Sequence, residues 1–168
     1  MVNNVQKPPA ERENSGRGKM DLDETDKQLI EALQGDGRLS MRALADMVGV
    51  ALGTVSNRLG KLEESGVITG YTVTLDADKV GWEMSVVVGL RIVKGELLPV
   101  QRLIADDPRV FAVYDVTGEM DSLVFARVSD RDDLDDFTKT VLSTEGVERS
   151  TTMVVLNTVK EQSVKLPK

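Results

Sequence analysis

The sequence contains no cysteine and no histidine. These absences exclude disulfide bridges, thiolate- or imidazole-ligated metal sites, thiol nucleophiles and Ser-His-Asp triads. There is also no apolar run of about 18 residues that could span a membrane, and residues 1–19 lack the apolar core of a secretory signal. We therefore expect a cytoplasmic protein that is not an enzyme, with no metal, no other cofactor and no catalytic residue.

The chain is short of positive charge, with a net charge of −7 over 168 residues. This balance is unusual for a protein that binds nucleic acid, because phosphate contacts usually require lysine and arginine. An acidic protein can still bind DNA if its few cations are concentrated where the DNA lies. With 40% hydrophobic residues, the chain can build one large core or two small ones.

The first segment, residues 1–20, is predicted to be a disordered arm, because it is polar, contains Pro8-Pro9 and has no apolar periodicity. Two interpretations of the arm stay open: a basic extension that touches phosphate, or a tail without a role. Its cations are Lys7, Arg12, Arg17 and Lys19.

Residues 21–80 carry three short stretches with helical periodicity, which predict a helix-turn-helix domain. The first stretch starts at Leu22 and ends before Gly35. In the second, Ser40 is predicted to cap the start of the helix and Gly49 to end it. The predicted buried face of this helix is Ala43, Leu44 and Met47. The third, which would enter the major groove of DNA, buries Val55, Leu59 and Leu62 and stops at Ser65-Gly66. Alternation over Val67–Leu75 then predicts a short strand or wing.

Residues 81–160 show the order strand, helix, strand, strand, helix, strand, which predicts an α+β, ferredoxin-like βαββαβ domain. The first helix carries the apolar stripe Val100, Leu103 and Ile104. One face of such a sheet is covered by helices, and we expect Val87 and Val93 on the other. Dimerisation through this open face is predicted, although a neighbouring loop could cover it instead. Residues 161–168 are predicted to be a C-terminal tail.

Several motifs, in order and at the right distances, resemble the Lrp/AsnC (feast/famine) family of transcriptional regulators over residues 21–160. In the first half these are Leu22-Asp23-x-x-Asp26, Gly37-Arg38-Leu39-Ser40, Leu44-Ala45, Val48-Gly49-Val50, Thr54-Val55, Arg58-Leu59, Leu62-Glu63 and Gly66-Val67-Ile68. In the second half they are Pro108-x-Val110, Gly118-Glu119-Met120-Asp121, Gly146-Val147 and Val154-Val155-Leu156.

The resemblance implies dimers that pair their sheets and often assemble into octamers. It also implies an amino acid or related metabolite bound between dimers, and control of genes of amino-acid metabolism. Two residues depart from the family pattern. Ala51, where serine is common, gives up a side-chain cap, and Gly53 either permits close approach to DNA or lowers helix propensity.

Seven residues are predicted to contact double-stranded DNA, because they lie on the third helix or near the start of the second and are not needed for the core. Asn57 could pair with an adenine edge and Arg58 with a guanine edge or a phosphate. Alternatively, Arg58 forms a solvated ion pair with Glu63 or another acid. The complete set is Arg38, Arg42, Thr54, Ser56, Asn57, Arg58 and Lys61.

A ligand site is predicted around the loop between the second and third strands. The N–H groups of Gly118, Glu119 and Met120 could hold a carboxylate and Asp121 an ammonium group, as a free amino acid requires. Alternatively, Asp121 only closes its turn. The resemblance adds Ser150 and Thr152, which match polar positions of the family's effector pocket.

The predicted function is a sequence-specific DNA-binding transcriptional regulator whose assembly or DNA affinity responds to an amino acid or related metabolite. One alternative is a metabolite-binding or architectural protein that does not read DNA sequence. A weaker alternative is an enzyme like the haem-pathway decarboxylases, which share this architecture but rely on histidine chemistry.

Overall fold

The computed structural model describes residues 20–167, and these form two compact units. Unit 1 consists of residues 20–74 together with residues 161–167, and unit 2 is Leu75–Lys160. Of the predicted N-terminal arm, residues 1–19 lie outside the described residues. None of the described helices is both long and apolar enough to cross a membrane.

Unit 1 contains helices α1 (Glu24–Gly35), α2 (Met41–Val48) and α3 (Leu52–Glu64). The predicted ends of α2 are confirmed. The Ser40 hydroxyl accepts a hydrogen bond from the Ala43 N–H at 3.1 Å, and Gly49 is left-handed with φ 75°. These two caps satisfy end groups that the helix itself cannot pair, so α2 is closed off as a short, separate helix before α3 begins.

The three helices pack around a core that includes Leu29, Leu44, Val55 and Leu62. One predicted core residue is wrong, because Met47 is 63% exposed and Ala45 takes a buried place beside Leu44. Neighbouring residues on a helix are about 100° apart, so a small rotation of the apolar stripe is enough to turn one end of it outward.

The segment after α3 does not form the predicted strand, since residues 67–75 belong to no ladder in the described chain. Tyr71, Val73 and Leu75 are exposed. A strand requires a hydrogen-bonded neighbour, and residues 20–167 offer none here. The middle of the segment contacts α3, because the Tyr71 hydroxyl donates to Glu63 Oε1 at 2.8 Å. Burial and this bond raise the pKa of Tyr71 to about 12.

The predicted C-terminal tail lies along unit 1. Leu166 packs against its core cluster, and the Gln34 side-chain amide donates to the Val164 carbonyl at 2.9 Å.

Unit 2 has strands and helices in the order β1 (Met84–Ile92), α4 (Leu97–Ala105), β2 (Val110–Asp115), β3 (Ser122–Val128), α5 (Arg131–Thr140) and β4 (Val147–Val154), with a short 3-10 helix at Asp78–Val80. The sheet order is β2-β3-β1-β4 and all pairs are antiparallel. The predicted α+β, ferredoxin-like arrangement is confirmed.

The two faces of this sheet differ because alternate residues point to opposite sides. In β1, Val86, Val88, Leu90 and Ile92 are buried in the core. The other face, which we call the open face, carries Val87 and its partner Phe125 on β3.

Two residues of unit 2 lie elsewhere than predicted. Leu103 is more than half exposed, and only Val100 and Ile104 of its stripe are buried. Val93 lies beyond the end of β1, after a register shift at Arg91/Ile92, and lines a depression with α4 instead of the open face.

Candidate functional site

Helix α3 divides into a buried side and an outward side. Val55, Leu59 and Leu62 are buried, which leaves Ser56, Asn57 and Lys61 exposed and Thr54 half-buried. A depression of about 220 Å³ on this surface is lined by Thr54, Asn57, Arg58 and Lys61. The structure therefore brings together four of the seven predicted DNA-binding residues, with Ser56 exposed on the same helix.

The first turn of α3 is open to approach from outside. Ala51 makes no side-chain cap, as the sequence predicts. A Cβ atom added at Gly53 would meet no atom within 4 Å. Packing inside the protein therefore does not require glycine at this position.

Arg38 and Arg42 are exposed near the start of α2 and do not line the depression. The backbone N–H of Arg38 donates to the Asp36 carboxylate at 2.9 Å, which fixes the turn before α2. Both side chains are accessible cations, Arg38 in the turn before α2 and Arg42 in its first turn.

Arg58 is held by two acids of α1. Its Nη1 contacts Asp23 Oδ2, and it lies 3.0 Å from Asp26 Oδ1. Hydrogen bonds to Asp23 and Asp26 raise the pKa of Arg58. The pKa of Asp23 is lowered, first by the Asp26 backbone N–H and then by Arg58. The structure thus contains an ion pair at Arg58, the predicted alternative to DNA contact, but its partners are Asp23 and Asp26, while Glu63 accepts the Tyr71 hydroxyl.

In unit 2, the Gly118–Asp121 loop lies against the open face of the sheet. A Cβ atom at Gly89 would lie 3.0 Å from Met120 Cγ, so glycine leaves room for the Met120 side chain. Arg91 Nη1 donates to the Glu119 carbonyl, and Gly118 has φ 121°. The loop is therefore fastened to β1 at several points.

Asp121 has a role that neither sequence interpretation included. Its Oδ2 accepts the Ile92 N–H at 2.9 Å and lies 3.7 Å from Arg91 Nε. The carboxylate therefore fastens the loop to the irregular end of β1 instead of closing its own turn. An ammonium group bound at Asp121 would share the carboxylate with Arg91.

Ser150 and Thr152 lie on the other side of the sheet from Met120. They pair with Leu90 and Val88, which are core residues, and directly opposed residues of an antiparallel pair share a face. Gly89, which contacts Met120, pairs with Thr151. One chain alone therefore does not bring all six predicted ligand residues into one site.

Sequence reasoning missed the partners of these residues. The sequence marks Asp23 and Asp26 only as members of the motif Leu22-Asp23-x-x-Asp26, and nothing in the local pattern singles out Gly89 or Arg91. The only signal was a glycine inside a strongly apolar strand, which often marks close approach of another group. In residues 20–167, no group of three or more acidic side chains is placed to hold a metal ion.

Both halves of the chain match known families. Residues 22–69 match the family described as winged helix-turn-helix DNA-binding, and residues 85–164 match the Lrp/AsnC ligand binding domain.

The relatives include an uncharacterized HTH-type transcriptional regulator of Pyrococcus abyssi, 46% identical over 83% of this chain and 95% of that protein. The HTH-type transcriptional regulator FL11 of Pyrococcus horikoshii is 36% identical over 83% of this chain and 93% of its own length.

Among solved structures, the transcriptional regulator NMB0573 from Neisseria meningitidis, in complex with L-Met, has a TM-score of 0.79 and 27% identity. The match covers 88% of this chain and 97% of that one. Escherichia coli AsnC, at 20% identity and a TM-score of 0.82, covers 88% of this chain and 100% of that one, and has the same fold.

Proposed function

Because this chain belongs to the Lrp/AsnC family of helix-turn-helix transcriptional regulators, we propose that α3 reads its operator DNA and that an amino acid bound by unit 2 alters this reading. The protein acts by binding, in the cytoplasm, and carries out no catalytic step.

The observation that carries the proposal is the outward surface of α3. A helix that enters the major groove needs short polar and cationic side chains on its outer side, with apolar residues confined to the core. Asn57 can donate to and accept from an adenine edge, while Thr54, Ser56 and Lys61 reach phosphates. Arg42 on the preceding helix and Arg38 in the turn before it provide further backbone contacts.

Two single variants separate base reading from phosphate binding. Asn57→Ala lowers the preference for DNA from upstream of the protein's own gene over scrambled DNA about tenfold, because a bidentate base contact provides about 1–3 kcal/mol of discrimination. Lys61→Ala weakens binding to both DNAs alike and reduces the salt slope of the binding constant by about one. Fluorescence anisotropy over a salt series measures both effects.

The matched control is Lys79→Ala, which removes the same charge from a highly exposed side chain in unit 2. This variant should keep the wild-type preference for upstream over scrambled DNA and the wild-type salt slope of the binding constant. An Asn57→Ala variant that keeps full preference would remove this helix face from base reading.

The effector proposal rests on the family and on the loop at the open face. The related protein of known structure was crystallised with L-Met, which supports a free amino acid as the ligand class. We infer that Gly118, Glu119, Met120 and Asp121 of one chain form one side of the site. Because Ser150 and Thr152 lie across the sheet, these two residues would complete a site only with a loop of another chain.

The open face supports a homodimer, with further association of dimers as the next level of assembly. Phe111, Phe125 and Tyr114 form an aromatic group there, with ring centroids 6.2 and 5.6 Å from the central Phe125. Phe111, Tyr114 and Met153 are exposed in the single chain. An apolar, aromatic surface of this kind is typical of the core of a protein interface.

A charge on this face should break the dimer. Tyr114→Asp places a carboxylate among the aromatic rings, and we expect monomers in sedimentation velocity at concentrations where the wild type is dimeric. The control is Leu98→Asp, an equally exposed position on α4 that should leave the assembly intact. Dimers of unchanged stability in Tyr114→Asp would mean that the chains associate elsewhere.

A further inference from the structure

We propose that Arg58 is a positioning residue for DNA recognition: it ties the recognition helix α3 to the start of α1 through Asp23 and Asp26, and it does not read a base. The inference rests on the proposed function, since it assigns a role within the same helix-turn-helix unit.

The first support is a closed set of hydrogen bonds at the start of α1. Asp23 Oδ1 accepts the Asp26 N–H at 2.9 Å, and Asp26 Oδ2 accepts the Asp23 N–H at 3.3 Å, which is a capping box. The remaining oxygen of each carboxylate contacts Arg58 Nη1. Each acid therefore uses one oxygen to cap α1 and the other to hold α3.

The second support is burial. The Asp26 side chain is only 12% exposed and Arg58 is 33% exposed. Asp26 is thus fixed in place by its surroundings, whereas Asn57 and Lys61, which line the same depression as Arg58, are exposed. An anchor at Arg58 sets the rotation of α3, and this rotation decides which side chains face outward.

The third support is charge. Two carboxylates at this position would repel nearby phosphates, and the Arg58 guanidinium offsets them. If Arg58 left the acids to bind DNA, it would expose both carboxylates beside the same surface. The charges therefore favour Arg58 as a permanent partner of Asp23 and Asp26 over Arg58 as a DNA contact.

A positioning role of Arg58 is distinguished from a direct DNA contact by removing the charges of Asp23 and Asp26 instead of the arginine. In Asp23→Asn/Asp26→Asn the side-chain carbonyls can still accept the two backbone N–H groups, but the charged partners of Arg58 are gone. We expect the preference for upstream over scrambled DNA to fall about tenfold, with circular dichroism and the salt slope unchanged. Arg58→Ala should lower the preference similarly, and combining all three changes should lower it no further.

The matched control is Glu24→Gln/Glu31→Gln, which removes the same charge from exposed positions of α1 that do not contact Arg58. Its preference should equal that of the wild type.

The inference is overturned if the Asp23→Asn/Asp26→Asn variant binds both DNAs more tightly with full preference and a steeper salt dependence, because Arg58 would then be a restrained DNA contact. It is also overturned if Arg58→Ala reduces the salt slope as Lys61→Ala does. If the wild type itself binds upstream and scrambled DNA equally, the proposed function fails, and the inference about Arg58 fails with it because there is no sequence-specific DNA recognition.

Discussion

Phe137→Ala should lower the free energy of unfolding of unit 2 by about 3–5 kcal/mol, which is typical of truncating a large aromatic side chain in a core. Phe137 is 0% exposed and belongs to the cluster formed by α4, α5 and the helix-covered face of the sheet. The Arg109 guanidinium lies 5.0 Å from the centre of its ring, so the substitution also removes the surface on which that cation rests.

Urea unfolding at a single protein concentration measures the effect, since association would add its own concentration-dependent stability. The control is Leu98→Ala on α4, where the side chain is 60% exposed. This control should change the stability by no more than about 0.5 kcal/mol. A loss below about 1 kcal/mol for Phe137→Ala would contradict the packing described for unit 2.

Arg109→Ala should be the next most damaging change, because this arginine holds three carboxylates. Its guanidinium lies 2.8 Å from oxygens of Asp107, Asp133 and Asp136. Its bond to Asp107 is the main cause of its raised pKa. Removing one partner of a buried ion pair costs about 3–5 kcal/mol, and the half-exposed Asp136 reduces the expected loss here to about 2–4 kcal/mol.

The loss of stability caused by Arg109→Ala should depend on pH. The bond to Arg109 is the main cause of the lowered pKa of Asp107. For Asp133, burial works in the opposite direction, but the Ser129 N–H and Arg109 lower the pKa overall. Groups with a lowered pKa stabilise the fold above the unfolded pKa of 3.8, and this contribution is lost as the pH falls.

The difference between wild type and Arg109→Ala should therefore be largest near pH 7 and begin to shrink below about pH 5. Urea unfolding at several pH values tests this, with Arg131→Ala, an exposed arginine at the start of α5, as the charge-matched control. A difference that stays constant down to about pH 3 would show that packing, and not charge, is the role of Arg109.

Local patterns predicted the elements of this fold well, because caps and periodicity act over a few residues. Ser40 and Gly49 bound α2 as predicted. The βαββαβ order follows from the same kind of signal. Prediction failed at Met47 and Leu103, where the side of the helix that faces the core depends on packing against other elements.

The sites were harder to predict, because their chemistry depends on residues distant in sequence. Arg58 is bound by acids 35 and 32 positions away, and Asp121 by a backbone N–H 29 positions away. No local sequence pattern predicts such contacts. Residues 67–75 have a strand pattern, but within the described residues no strand pairs with them, since alternation alone does not supply a hydrogen-bonded neighbour.

The most direct test of regulation is a titration of the wild-type protein on its own upstream DNA and on scrambled DNA, each with and without a panel of free amino acids. We expect at least about tenfold preference for the upstream DNA, and at least one amino acid that changes its affinity by about fivefold or more. Equal affinity for the two DNAs, unchanged by every amino acid, would contradict the account.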